Sequence, residues 1–145
     1  GWSARDWRAG EHLANMQRDH TFLRVYWAGA AYWLAVDRDL RRSSGGKYSL
    51  DLALSRFSQC CLPAYRQWQP QDFVAKLDAL LGVQAFSQRY REFSRMKAFP
   101  DWQKLYAELG IRNAGEHVAY DGNAVDAAAR DAIMAAPPAC ASALK

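Results

Sequence analysis

Apolar residues in the first hundred positions recur at helical spacing, and strict apolar–polar alternation is hard to find. Phe22, Val25, Tyr26, Gly29, Tyr32, Trp33, Val36 and Leu40 fall at steps of three or four with single steps between. That spacing predicts one face of a helix over about Thr21 to Arg42. An earlier, weaker helix is predicted from Ser3 to His20. Ser3 caps it, Asp6 sits three residues on, and Trp2, Trp7, Leu13 and Met16 form a partial stripe that Gly10 interrupts. Asp37, Arg38, Arg41 and Arg42 read as a solvated helix end, with arginines suited to the negative pole of the dipole. Ser43, Ser44, Gly45 and Gly46 then break the helix.

Ser49 is the predicted cap of the next helix, with Asp51 in its first turn and Leu50, Leu54 and Phe57 facing inward. It stops before Leu62-Pro63, and a loop runs to Gln69. Pro70 fits the first turn of a helix carrying Phe73, Leu77, Leu80 and Leu81, which Gly82 ends. Phe86, Tyr90 and Phe93 mark a helix from Val83 to Met96, and a short one spans Asp101 to Leu109 before Gly110. Ile111 to Gly122 reads as loop, with a short extended piece at His117 to Tyr120. Asn123 or Asp121 would cap an Ala-rich helix to Ala136, which Pro137-Pro138 ends, leaving a frayed tail. The expected fold is all-α, an irregular array of five to seven helices. Residues 1–110 form the helical subdomain, and 111–145 pack on the same domain.

Composition narrows the class. The 145 residues fit one domain. Half are hydrophobic and six are Trp, which excludes a wholly disordered chain. No apolar run is long enough to cross a membrane, and no leader pattern opens the chain. Gly1 is not preceded by Met, so the expectation is either an excised fragment or a cloning scar at Gly1. Net charge is +4. Residues 1–100 hold 15 basic and 9 acidic side chains and residues 101–145 hold 4 and 6, too mixed a balance to demand a polyanion. Cys60, Cys61 and Cys140 have no metal-type spacing and read as small buried hydrophobes. A disulfide from Cys140 to one of the pair is the alternative if the parent is exported to the periplasm or secreted.

Candidate chemistry is sparse. A zinc hydrolase needs two His one helical turn apart beside a Glu, and no HExxH occurs. The reversed motif fails because Arg8 stands where the first His of Arg8-Ala9-Gly10-Glu11-His12 would be. His12 and His20 are two turns apart and read as surface residues, and His117 carries no motif. No GxSxG elbow is present. Gly45-Gly46-Lys47 lacks the other residues of a phosphate loop and reads as a helix cap. Arg38, Arg41, Arg42, Lys47 and Arg56 are interrupted by Asp37 and Asp39, which argues against a nucleic-acid surface. Tyr26 and Gly29 are the remaining candidates. Gly29 lies one turn after Tyr26 and lets a backbone or ligand approach, and a Tyr hydroxyl beside such a gap can donate to a developing oxyanion.

Tyr26-Trp27-Ala28-Gly29-Ala30-Ala31, followed by Asp37-Arg38-Asp39-Leu40-Arg41-Arg42-Ser43-Ser44-Gly45-Gly46-Lys47-Tyr48-Ser49-Leu50-Asp51-Leu52-Ala53-Leu54, resembles the glycyl aminopeptidase family of thermolysin-like zinc peptidases. Members read Tyr-x-Lys-Gly, a helix ending in Asp-x-x-Ile/Leu-Arg, a Thr/Ser-Gly-Gly turn and Ser-Leu-Asp. The match is gapless over residues 26–54 and looser over the rest of residues 20–95. The family's Lys position holds Ala28. The resemblance implies the C-terminal helical lobe of such an enzyme. The zinc, its HExxH helix and its Glu ligand would belong to an N-terminal lobe outside this chain, so no cofactor is expected here and the chain is expected to be inactive alone. Tyr26 would donate to the tetrahedral intermediate, and Gly29 would line the substrate cleft.

The implied partners are the zinc-binding lobe and, in the intact parent, a peptide substrate, with neither nucleic acid nor membrane. An excised lobe should expose an apolar patch drawn from Trp2, Trp7, Tyr26 and Trp27, compatible with a dimer through that face. The rival reading is a stand-alone helical interaction module.

Overall fold

The computed structural model describes residues 22–65 and 67–135. The helix expected over Ser3 to His20, with Trp2, Trp7, His12 and His20, lies outside them, as does Cys140. The described residues form six helices and one two-stranded hairpin, the all-α array expected. In order these are α1 (Phe22–Ser44), α2 (Leu50–Cys61), α3 (Pro70–Leu81), α4 (Ala85–Arg95), α5 (Trp102–Glu108), β1 (Ile111–Ala114), β2 (His117–Tyr120) and α6 (Ala127–Met134). The chain divides into two compact units, Gly1–Trp102 and Gln103–Lys145.

In the first unit the helix ends follow from local chemistry. The Ser49 side chain accepts from the Leu52 N–H and caps α2. Pro70 opens α3, where its missing N–H costs no intrahelical bond. Gly82 closes α3 at φ 69°, a left-handed cap open to glycine without penalty. The core gathers Tyr32, Val36 and Leu40 from α1, Ala53 and Phe57 from α2, Val74, Leu77 and Leu81 from α3, and Phe86 from α4. Aromatic edges close it: Phe57 lies 4.9 Å from Phe73 and 5.2 Å from Trp68, centroid to centroid, both edge to face. Leu54, expected inward, is exposed, and Ala53 is buried in its place.

Two buried carboxylates tie the helices together. Asp78, near the end of α3, accepts from the Phe86 and Ser87 N–H groups at 2.9 Å each. It satisfies two donors at the start of α4, which has no capping side chain of its own. Asp37 corrects the expectation of a solvated end to α1, because it and Arg38 are buried. Asp37 accepts from Leu50 N at 2.7 Å and from Arg41 Nε at 3.0 Å, bridging α1 to the start of α2. The turn between them is set by Gly45 and Gly46, both at positive φ. Ser44 Oγ completes it, accepting from Tyr48 N and donating to the Leu40 carbonyl, both at 2.7 Å.

The Tyr32 hydroxyl donates to the Phe86 carbonyl at 2.9 Å. Burial pushes this phenol well above its ordinary value, and the charges of Asp78 and Tyr90 push the same way. A raised folded value means that the fold favours the neutral phenol. The contribution is therefore full below about pH 10, where the unfolded phenol titrates, and is lost as pH rises from there towards the folded value. Unfolding free energies from urea titrations across about pH 8–11 should fall at the alkaline end, by up to about 1.4 kcal/mol per pH unit from this group. Tyr32→Phe should flatten that fall. Parallel profiles for the two proteins would reject the assignment.

In the second unit, the extended piece expected at His117 to Tyr120 is β2, and Ile111–Ala114, expected as loop, is the strand β1. β1 and β2 pair antiparallel, Ile111 with Tyr120 and Ala114 with His117. Gly115 takes φ 84° at the first position of the two-residue connection, as tight hairpins require. The last helix starts at Ala127 and ends at Met134, later and earlier than expected. Neither candidate cap serves it. Asp121 Oδ1 instead accepts from Asn123 N at 2.9 Å, a local turn that competes with helix initiation. That bond, aided by the Arg112 guanidinium, holds the Asp121 carboxyl below the usual carboxylate range. Arg130 is buried and donates to the carbonyls of Leu109 and Asp121.

Candidate functional site

Helical geometry distributes the candidate residues around α1. Ala28, Ala31, Tyr32, Ala35 and Val36 are buried, and Leu23, Tyr26 and Trp27 emerge on another arc. Tyr26 is 67% exposed, Trp27 50% and Leu23 63%. The apolar face expected from spacing is therefore split, and Tyr26 belongs to the solvent side. Its ring meets Trp27 edge to face at 5.4 Å, and Trp27 meets Trp102 in the same way at 6.2 Å. These contacts orient the exposed aromatics against one another. Of the expected apolar patch, Tyr26 and Trp27 are thus at the surface, while Trp2 and Trp7 lie outside the described residues.

Gly29 is half-buried, and a Cβ built there meets nothing within 4 Å among the described residues. Glycine at this position is not demanded by helix packing; it leaves open room one turn from Tyr26. Ala28, where the resembled family has Lys, points into the covered side. Tyr26, Trp27 and Gly29 thus form a rim of phenol, indole and bare backbone. Chemically, such a rim offers one hydroxyl donor and aromatic faces, and the described residues that form it include no His, Cys, Asp or Glu.

The remaining candidates have other roles. Among the described residues no group of three or more His, Cys, Asp or Glu side chains is placed to hold a metal. His117 is exposed on β2. Gly45 and Gly46 form the turn after α1, with Gly46 N donating to the Arg41 carbonyl at 2.7 Å. The basic residues near the end of α1 are engaged. Arg41 pairs with Asp37, Arg38 and Arg89 share Asp39, and Arg56 donates to the Leu80 carbonyl. Lys47 lies over the Tyr48 ring. A recess of about 300 Å³ lies beside this cluster, lined by Asp39, Ser43, Gln84, Gln88, Arg89 and Glu92. It sits some 13 residues along α1 from Tyr26, roughly 20 Å by helical rise. No helix of the described residues is long and apolar enough to cross a membrane.

Sequence reasoning missed the cysteine pair. Cys60 and Cys61 are not buried hydrophobes: they form a disulfide with each other at the end of α2, with Cys60 exposed and Cys61 half-buried. Their pairing also excludes the expected alternative of a bond from either to Cys140. Their adjacency at the end of a helix was the available signal. It also missed Asp78, an acid near the negative end of α3, where an isolated carboxylate is disfavoured unless something else holds it.

The motif resembling a peptidase lobe therefore folds as a unit, in which the Asp37–Arg41 pair, the glycine turn and the Ser49 cap lock α1 to α2. Comparison with known proteins adds no family: no family model matches the chain, and neither does any curated protein or solved structure.

Proposed function

We propose that this chain is the helical, substrate-facing lobe of a zinc aminopeptidase-like protein and is not catalytic alone. The observation that carries the reading is the exposure of Tyr26 beside the open space at Gly29. In this reading α1 walls the cleft, and Tyr26 donates a hydrogen bond to the oxyanion of the tetrahedral intermediate. The zinc ion and the Glu that activates water belong to the N-terminal lobe of the same parent. Zinc supplies there the Lewis acidity that lowers the pKa of bound water. The residues of this chain position the peptide, exclude water and supply one donor.

Losing a single oxyanion donor costs about 10²–10³ in kcat. Tyr26→Phe in the full-length parent, assayed by peptide hydrolysis, should show that loss with the fold intact by circular dichroism. Unchanged turnover would reject the role of Tyr26. A parent sequence without HExxH ahead of this chain would reject the class. The exposed Leu23, Tyr26 and Trp27 would then favour the second reading, a helical interaction module that binds a partner protein through this arc.

A further inference from the structure

We propose that Cys60 and Cys61 form a thiol–disulfide exchange site, opened by a low-molecular-weight thiol at the sulfur of Cys60. The inference stands apart from any peptidase reading. The bond joins neighbours in sequence. A cross-link that closes almost no loop barely restrains the unfolded chain, so stabilising the fold is not its contribution. What it offers is chemistry at the surface.

The two sulfurs are unequally accessible. Cys60 is exposed, and so are Ser58, Gln59, Leu62, Pro63, Ala64 and Tyr65 around it. Cys61 is half-buried and packs against the core cluster. An incoming thiolate therefore reaches Cys60 first, and access decides which sulfur is attacked. Arg56, exposed on α2 one helical turn before Cys60, favours an anionic reagent. Between Asp51 and Asp72 the sequence carries no acidic residue, and Arg56 and Arg66 are its only charges besides them.

The exchange balances in two steps. The external thiolate bonds to the Cys60 sulfur, the Cys60–Cys61 bond breaks, and its electron pair leaves on Cys61, which takes a proton. A second external thiol, as thiolate, then attacks the external sulfur of the mixed disulfide and releases Cys60 as a thiol. Two external thiols become one disulfide, and the protein pair becomes a dithiol. In reverse, Cys61 closes the ring from a mixed disulfide on Cys60, helped by its adjacency.

Glutathione is the probe. The full chain carrying Cys140→Ser is equilibrated in oxidised and reduced glutathione mixtures, quenched with acid, alkylated and digested with trypsin. Cleavage after Arg56 and Arg66 yields one peptide, Phe57 to Arg66, holding both cysteines. In oxidising mixtures it should lack two hydrogens and take no alkyl group; in reducing mixtures it should take two. Alkylation of both cysteines in every mixture would overturn the site. In single variants, oxidised glutathione should add to the thiol of Cys60 in C61S faster than to that of Cys61 in C60S. The opposite order would overturn the assignment of Cys60 as the attacked sulfur. If either variant misfolds, fragmentation of the trapped mixed disulfide of the Phe57 to Arg66 peptide decides: glutathione on Cys60 supports the assignment, and glutathione on Cys61 overturns it.

Discussion

Asp78→Ala is expected to lower the unfolding free energy by about 3 kcal/mol or more, because each hydrogen bond to a charged group contributes roughly 1.5–3 kcal/mol and two are lost. The side chain is buried, so water cannot readily replace it. The substitution leaves the N–H groups of Phe86 and Ser87 without their acceptor at the start of α4. That end also carries Phe86, which is fully buried in the core, and the carbonyl that accepts from Tyr32. Loss of the carboxylate therefore loosens packing as well as a cap. Asp78→Asn keeps one acceptor oxygen and should recover part of the loss. Asp72→Ala, an exposed change in the first turn of the same helix, should stay within about 0.5 kcal/mol of the wild type. Urea unfolding of the three variants tests the ordering. Equal midpoints for Asp78→Ala and Asp72→Ala would reject the role of Asp78.

Gly110→Ala is expected to destabilise the second unit by more than the roughly 1–2 kcal/mol that a left-handed backbone costs an L-residue. Gly110 has φ 69°, and a Cβ there would lie 2.4 Å from the Asp121 carbonyl oxygen and 2.7 Å from the Ala124 Cβ. A backbone oxygen cannot rotate away as a side chain would. The same carbonyl accepts from Arg130, and Asp121 N donates to the Gly110 carbonyl at 2.7 Å. The strain therefore falls on the closure of the hairpin. Gly115→Ala is the matched comparison, because it also has positive φ but nothing within 4 Å of its added Cβ. The difference between the two variants isolates the clash. Amide hydrogen exchange should show protection in residues 103–135 falling more in Gly110→Ala than in Gly115→Ala. Equal loss in both would show that the close approach is not limiting.

These two residues mark how differently the features of the fold were recoverable from sequence. Gly110 and Gly82 stood out as helix stops because a left-handed cap is a local demand on one residue. Ser49 and Pro70 were recoverable for the same reason. Asp78 was not, because its partners are backbone donors eight and nine residues away across a turn. Asp37 reads locally as a solvated charge, since no local rule says that a donor 13 residues on will bury it. Of the hairpin, β2 is legible as the extended piece His117 to Tyr120, whereas β1 is not, because its four residues are mostly exposed and show no alternation. Its one cue was Gly115-Glu116 as a two-residue connection.

The candidate site divides in the same way. Spacing placed Tyr26 and Gly29 on α1, one turn apart, but it also placed Tyr26 with Tyr32 and Val36. Period gives each residue an angle on the helix and leaves open which arc the other helices cover. Helix positions, their stops and the all-α class were set by residue chemistry within a few positions, where propensity, caps and periodicity act. Which carboxylates are buried and which aromatics meet solvent depend on contacts between elements far apart in sequence, and only packing brings those together.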